Sequence, residues 1–308
     1  MNPSFQCTIA NTVSCRGIAL HSGARAFIKI MPAPPDSGIT FYRTDMPGSG
    51  PVAAIAGNVF DSSLATTISN GNARISTIEH LMAALHGLGI DNALIELNGL
   101  ELPVLDGSAD SYVHLIDAAG IVEQHKPRRF INILRPVEVA DGDRYAALLP
   151  SERFEMSVEI DFTSDVIGQQ RFESTISSQV FINELSRART FGFMDEVNAL
   201  KRAGLARGGS LDNAIVIGSF DVLNREGLRY PDEFVRHKAL DALGDLYLIG
   251  HPIIGRFESY KSGHFMNWKL VSEVLSDPRN YELVEYRKAT VSPHNRTIGQ
   301  QADSITWS

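Results

Sequence analysis

The decapeptide Arg236-His237-Lys238-Ala239-Leu240-Asp241-Ala242-Leu243-Gly244-Asp245 sets His237, Asp241 and Asp245 at four-residue steps. Each such step turns an α-helix through about 400°, so successive side chains drift only about 40° and all three share one stripe. A polar stripe on an amphipathic helix is ordinarily solvated. If it faces an interior cleft instead, its carboxylates need a cation or hydrogen-bond donors. Zinc is one possible partner, because histidine nitrogen and aspartate oxygen both coordinate it, and a catalytic zinc usually takes three protein ligands plus water.

Glu79-His80 offers a third ligand and a proton acceptor together, with His80 on the metal and Glu79 taking a proton from activated water. A structural reading stays open, since Ser76-Thr77-Ile78-Glu79 has capping-box spacing and His80 could be a surface imidazole. His-Glu-x-x-His, the common zinc-peptidase signature, is absent. In Ser262-Gly263-His264 the glycine lets backbone approach a ligand while the imidazole projects into a site. Asp245 could keep that imidazole charged and fit to protonate a leaving group, although a lone tripeptide of this kind is more often structural. His86, His114, His125, His251 and His294 have no comparable partners in sequence and read as ordinary surface or core residues.

The elements that must position these groups follow from periodicity and punctuation. The first third alternates short apolar runs with turn signals, as in Ala26 to Ile30 before Pro32, Pro34 and Pro35, and reads as strands. A helix follows with Ser76 as N-cap, Leu81, Leu85 and Leu88 as its apolar face, and Gly87 and Gly89 as its end. Ala93 to Leu97 reads as a strand, Asn98-Gly99 as a turn, and Ser108 to Ala119 as a second helix stopped by Gly120. The polar stretch His125 to Arg129 reads as a linker before a new strand at Phe130 to Ile133, which sets the boundary between an N-terminal α+β domain (1–126) and a C-terminal α+β domain (127–277). The second half is expected to repeat the order of the first: strands to about Phe162, further strands and a helical insertion around Met194 to Ala203, a helix from Phe234 to Ile249 stopped by Gly250 and Pro252, and, after Trp268-Lys269-Leu270, another helix reaching Leu275. Residues 278–308 read as an irregular tail.

Composition sets outer limits. At 308 residues, with 44% hydrophobic and 21% charged, the chain can bury a substantial core and has no disordered or fibrous profile. Its net charge of -8 argues against broad nucleic-acid binding. A single anionic ligand would need only local cations, for which Lys238, Lys261 and the Arg187/Arg189 pair are candidates whose ordinary role is solvated surface. Cys7 and Cys15 are the only cysteines, so neither a disulfide framework nor a cysteine zinc site is supported. With no long apolar run and no basic-then-apolar N-terminal pattern, a soluble cytoplasmic protein without a membrane span is expected. No phosphate loop, dinucleotide glycine turn or Gly-x-Ser-x-Gly elbow occurs.

Taken in order, the segments GIALHSG (17–23), STIEHLMAALHGLGIDN (76–92), LPVLDGSA (102–109), ARTFGF (188–193), RHKALDALGD (236–245) and YKSGH (260–264) span nearly the whole chain. Together they resemble the zinc-dependent UDP-3-O-acyl-N-acetylglucosamine deacetylases, which perform the committed step of lipid A synthesis. The resemblance implies an α+β fold of two similar domains, each a mainly antiparallel sheet packed with helices. These form a two-layer β-α-α-β sandwich with the site at the interface. It implies zinc held by His80, His237 and Asp241, with Glu79 as general base, His264 as acid supported by Asp245, and Thr190 as a donor to the oxyanion. It also implies Lys238 as a substrate contact, His21 and Lys261 near the nucleotide or phosphate end, and a fatty acyl passage lined by Phe191, Val197, Gly209, Ser210, Ala214 and Val216. The implied partner is UDP-3-O-acyl-N-acetylglucosamine, acted on by a monomer that associates at most transiently with a membrane surface. The loop Phe60 to Thr67 departs from the family pattern, which often carries bulkier or sulfur-containing side chains near Ser63 and Ala65. Two other readings stay open: a zinc amidohydrolase with a different substrate, and a non-catalytic binding protein in which the polar stripe joins two halves.

Overall fold

A computed structural model describes residues 4–285. Five strands, β2 (Val13–Ile18), β3 (Arg25–Pro32), β4 (Ile39–Arg43), β5 (Val52–Ala53) and β9 (Ala93–Leu97), form one sheet in the order β2-β3-β9-β4-β5. All of its pairs are antiparallel except β4 with β9. β1 (Phe5–Ile9) pairs with β10 (Ile121–Pro127), and β6 (Val59–Asp61), β7 (Thr67–Ser69) and β8 (Arg74–Ile75) make a small antiparallel sheet. A seven-stranded sheet runs β12 (Val137–Asp141), β13 (Arg144–Leu149), β18 (Ile253–Tyr260), β11 (Arg129–Ile133), β19 (Tyr281–Glu285), with β14 (Phe154–Asp161) on β18 and β15 (Gln169–Thr175) on β14. A parallel pair, β16 (Phe191–Phe193) and β17 (Ile215–Ile217), stands apart from it.

The helices are α1 (Glu79–Leu88), α2 (Asp110–Ala119), α3 (Ser178–Val180), α4 (Met194–Arg202), α5 (Glu233–Leu246) and α6 (His264–Ser276), with α3 passing into a π-helical turn at Phe181–Leu185. α1 packs on α5; α1 also meets α2, which lies on β2, and α5 lies on β14 and β15. The result is the α+β architecture expected, ordered sheet, helix, helix, sheet. One continuous apolar core runs from Ile28 and Ile30 of β3 through Leu81 and Leu85 of α1 and Leu240 and Leu243 of α5 to Phe257 of β18. Strand burial alternates with period two in β9 and β18, as a sheet with one covered face requires. α1 and α5 are different: every residue of α1 except Leu88 is buried, as are all of α5 except Arg236 and Lys238. A helix enclosed on all sides has no solvated face, so the polar stripe of α5 lies in the interior.

Several expectations need correction. Ser76 does not cap α1; its Oγ bonds Thr67 Oγ1 at 2.8 Å, the N-cap residue is Ile78, and no side chain caps this end. The chain instead turns at Thr77, which adopts φ 59° with its hydroxyl 3.3 Å from Glu101 Oε1. A β-branched residue in the left-handed region is a genuine outlier, held here by tertiary contacts. Gly89, at φ 76°, ends α1, but Gly87 lies within it, where an added Cβ would sit 2.1 Å from the Phe181 ring. Residues 125–127 are not linker but the end of β10, while β19 occupies part of the supposed irregular tail, whose remainder lies outside the described residues. α6 starts at His264, earlier than the sequence suggested.

Candidate active site

Gly244 brings the two central helices together: a Cβ there would lie 2.1 Å from Glu79 O and 3.0 Å from Ala83 N. That approach sets the first turns of α1 against the C-terminal turn of α5. The nitrogens and carboxylate oxygen of His80, His237 and Asp241 converge within 4.8 Å of one another, all on buried residues. His80 Nε2 is 3.6 Å and His237 Nε2 is 3.4 Å from Asp241 Oδ1. His237 Nδ1 lies 3.0 Å from Ala188 O, a contact that assigns the ring proton to Nδ1 and leaves the Nε2 lone pair facing the carboxylate. Burial pushes the His237 pKa down to about 3, so the ring is neutral.

Asp241 Oδ2 accepts from Lys238 Nζ at 2.9 Å, whereas Oδ1 is buried without a hydrogen-bond partner. Burial would raise the Asp241 pKa, but the Lys238 ammonium bonded to Oδ2 opposes it, and the carboxyl is held well below its ordinary range. An ionised, unpartnered oxygen facing an imidazole lone pair is a costly arrangement unless a cation lies between them. Two imidazoles and one carboxylate are the donor types zinc accepts. The residues present therefore fit a divalent metal.

Asp245, one turn along, is fully satisfied. Its Oδ1 accepts from Thr66 Oγ1 at 2.6 Å, and its Oδ2 accepts from His264 Nδ1 at 2.8 Å and Asn267 Nδ2 at 2.9 Å. Burial would discharge His264, but the Asp245 carboxylate more than compensates and its pKa rises to about 10. Glu79, buried and accepting from Thr66 N–H at 3.0 Å, has its pKa raised mainly by desolvation. Glu79 and a charged His264 thus flank the three convergent donors.

Glu79, His80, Thr190, Phe191, His237, Lys238, Asp241 and His264 line a single cavity of about 410 Å³. His21, Val197, Gly209, Ser210, Ala214 and Val216 line the same cavity, on walls built by α4, β16, β17 and neighbouring loops. Asp245 stands behind His264, outside the wall. Lys261 lies away from this cavity; Asp143 and Asp161 hold its ammonium at 2.9 and 3.1 Å and raise its pKa. Arg189 is not a surface cation: it is buried against Glu233 at 2.9 Å, and its backbone N–H also donates to Glu233 Oε1. This anchors the Ala188-Thr190 segment to the start of α5, while Ala188 O orients His237 further along. Sequence reasoning missed Thr66 and Asn267, which carry no spacing signal, and the apolar wall residues Leu20, Leu64, Leu200, Ala206 and Leu223. From the Phe60 to Thr67 loop it is Leu64 that lines the cavity, whereas Ser63 bonds Asp61 at 2.7 Å.

The LpxC family profile, described as UDP-3-O-acyl N-acetylglycosamine deacetylase, matches residues 6–276. This chain belongs to that family. A UDP-3-O-acyl-N-acetylglucosamine deacetylase of Myxococcus xanthus is 50% identical over 290 residues, covering 94% of this chain and 92% of the relative. One from Saccharophagus degradans is 47% identical over 290 residues, covering 94% and 96%, and one from Acidithiobacillus ferrooxidans is 49% identical over 283 residues, covering 91% and 93%. Among the described residues no helix is long and apolar enough to cross a membrane.

Proposed function

We propose that this chain hydrolyses the acetamide of UDP-3-O-acyl-N-acetylglucosamine to the free amine and acetate, with zinc held by His80, His237 and Asp241, and that it does so in the cytoplasm as the committed step of lipid A synthesis. The observation that carries this reading is the bare Oδ1 of Asp241 facing two imidazole nitrogens, with Glu79 and His264 on the same cavity wall. Zinc, when bound, supplies Lewis-acid polarisation and makes water acidic enough to react near neutral pH.

The protein's own groups complete the chemistry. Glu79 takes a proton as water adds to the amide carbon. Thr190, at the cavity wall, donates to the oxygen on which charge develops. His264, held cationic by Asp245, gives its proton to the nitrogen as the C–N bond breaks, so acetate and amine leave without free hydroxide or acid. Lys238 stays cationic, because Asp241 outweighs the burial that would discharge it, and it can meet an anionic or polar part of the substrate. The cavity beyond Phe191, walled by Val197, Ala214 and Val216, suits the apolar acyl chain.

An acetate-release assay on the purified protein tests this. The expected result is turnover of the UDP-sugar with about one zinc per chain, and losses of roughly 10²–10⁴ in kcat for Glu79→Ala or His264→Ala. Turnover in Glu79→Ala equal to wild type would overturn the base assignment.

A further inference from the structure

We propose that Thr66 is a positioning residue that sets the general base and the general acid relative to one another; this rests on the deacetylase reading above. Thr66 is 1% exposed and lies immediately before β7, outside the three helices that carry the reacting groups. Its backbone N–H donates to Glu79 Oε2 at 3.0 Å, and its carbonyl accepts from Ile78 N–H at 3.3 Å, so one residue grips the first turn of α1 at two points. Its hydroxyl donates to Asp245 Oδ1 at 2.6 Å on α5. The other Asp245 oxygen receives His264 Nδ1 and Asn267 Nδ2 from α6.

The directions of these bonds are fixed by chemistry. An ionised carboxylate only accepts, so the hydroxyl must donate, and each bond from Thr66 fixes which of the two oxygens of that carboxylate faces it. With Oε2 of Glu79 engaged, Oε1 is left to take the proton. With Oδ1 of Asp245 engaged, Oδ2 stays on His264 Nδ1 and leaves the other ring nitrogen for the substrate. The β-branched side chain of Thr66 is stiff at χ1, so it holds the hydroxyl at little further entropic cost. Thr66 touches neither metal ligand nor reacting atom through these bonds; it fixes the distance and orientation between base and acid, to which rate is sensitive.

The test compares zinc-loaded Thr66→Val, which keeps shape and the backbone N–H but lacks the hydroxyl, with Thr66→Ser, which restores it. Thr66→Val is expected to lower kcat roughly ten- to hundredfold with KM and zinc content unchanged. It should also shift the NMR resonance of the His264 Nδ1 proton. Thr66→Ser should recover kcat to within a few-fold and return the resonance. Unchanged kcat and resonance in Thr66→Val overturn the proposal, as does a loss of zinc parallel to the loss of kcat. If Thr66→Val does not fold, the Thr66 amide resonance decides, since Glu79→Gln must displace it; an unmoved resonance overturns the proposal. The NMR signatures do not depend on substrate, so an enzyme inactive on the UDP-sugar would sink the deacetylase reading and leave the Thr66 linkage separately measured.

Discussion

Asp241 and Asp245 are the same residue type, one turn apart on one buried helix, and their neighbours give them opposite tasks. Asp241 keeps one oxygen bare and aimed at two imidazoles, whereas both oxygens of Asp245 are filled by Thr66, His264 and Asn267. The four-residue spacing legible in the sequence could place both carboxylates on one stripe but could not tell them apart, because the donors that separate them come from residues 66, 264 and 267. The difference has a pH consequence. His264 is pushed up to about 10 by Asp245 against the opposing effect of burial, so the acid is present at low pH and is lost as pH rises through its folded pKa. A bound divalent cation would oppose that rise. The alkaline limb of kcat/KM is therefore expected above the ordinary imidazole value of about 6.5 and below about 10. Asp245→Asn should move it toward acid, as read from a pH profile of kcat/KM. A limb that stays in place would show that another group titrates there.

The contact between α1 and α5 is the structural condition for the site, and at Gly244 the two backbones approach too closely to admit a side chain. An alanine there would put a methyl 2.1 Å from the Glu79 carbonyl, against backbone that has no rotamer through which to escape. Gly244→Ala is expected to cost about 1–3 kcal/mol by overpacking and to weaken zinc binding as His80 moves from Asp241. Thermal melts and a zinc titration check both effects, and a variant with wild-type Tm and affinity would refute the spacing argument. The helices themselves were legible: apolar periodicity and glycine stops gave α1, α2, α4 and α5 to within a few residues. What misled was local chemistry overruled from a distance. The capping-box spacing at Ser76 is real, but Thr67 takes the serine hydroxyl and Thr66 takes the glutamate, so neither group caps the helix. His125 and Lys126 read as linker because β10 is a largely exposed strand that, among the described residues, pairs only with β1, and an edge ribbon selects polar side chains as a linker does.

The cavity walls come from residues near 20, 64, 80, 190 to 223, 237 and 264, so no local pattern could have drawn it; the ordered motifs, read as a family resemblance, supplied the residues that spacing could not. Assembly from such distant segments makes metal occupancy a property of the whole fold. In the unfolded chain His80 and Asp241 are separated by 160 intervening residues, and the three donors have no common address. A metal that binds the folded form alone adds RT ln(1 + [L]/Kd), about 4 kcal/mol at a thousandfold excess over Kd. At roughly 2 °C or less per kcal/mol for a chain of this size, removing the metal with a chelator should lower Tm by several degrees. Adding zinc back should restore it. The same treatment of Asp241→Ala should move Tm little, because that variant no longer presents the bare oxygen that makes the site costly without a cation. A Tm insensitive to chelation in a protein shown to lose its zinc would mean that the three donors gain nothing from the ion, and the reading of Asp241 Oδ1 as a metal ligand would fall with it.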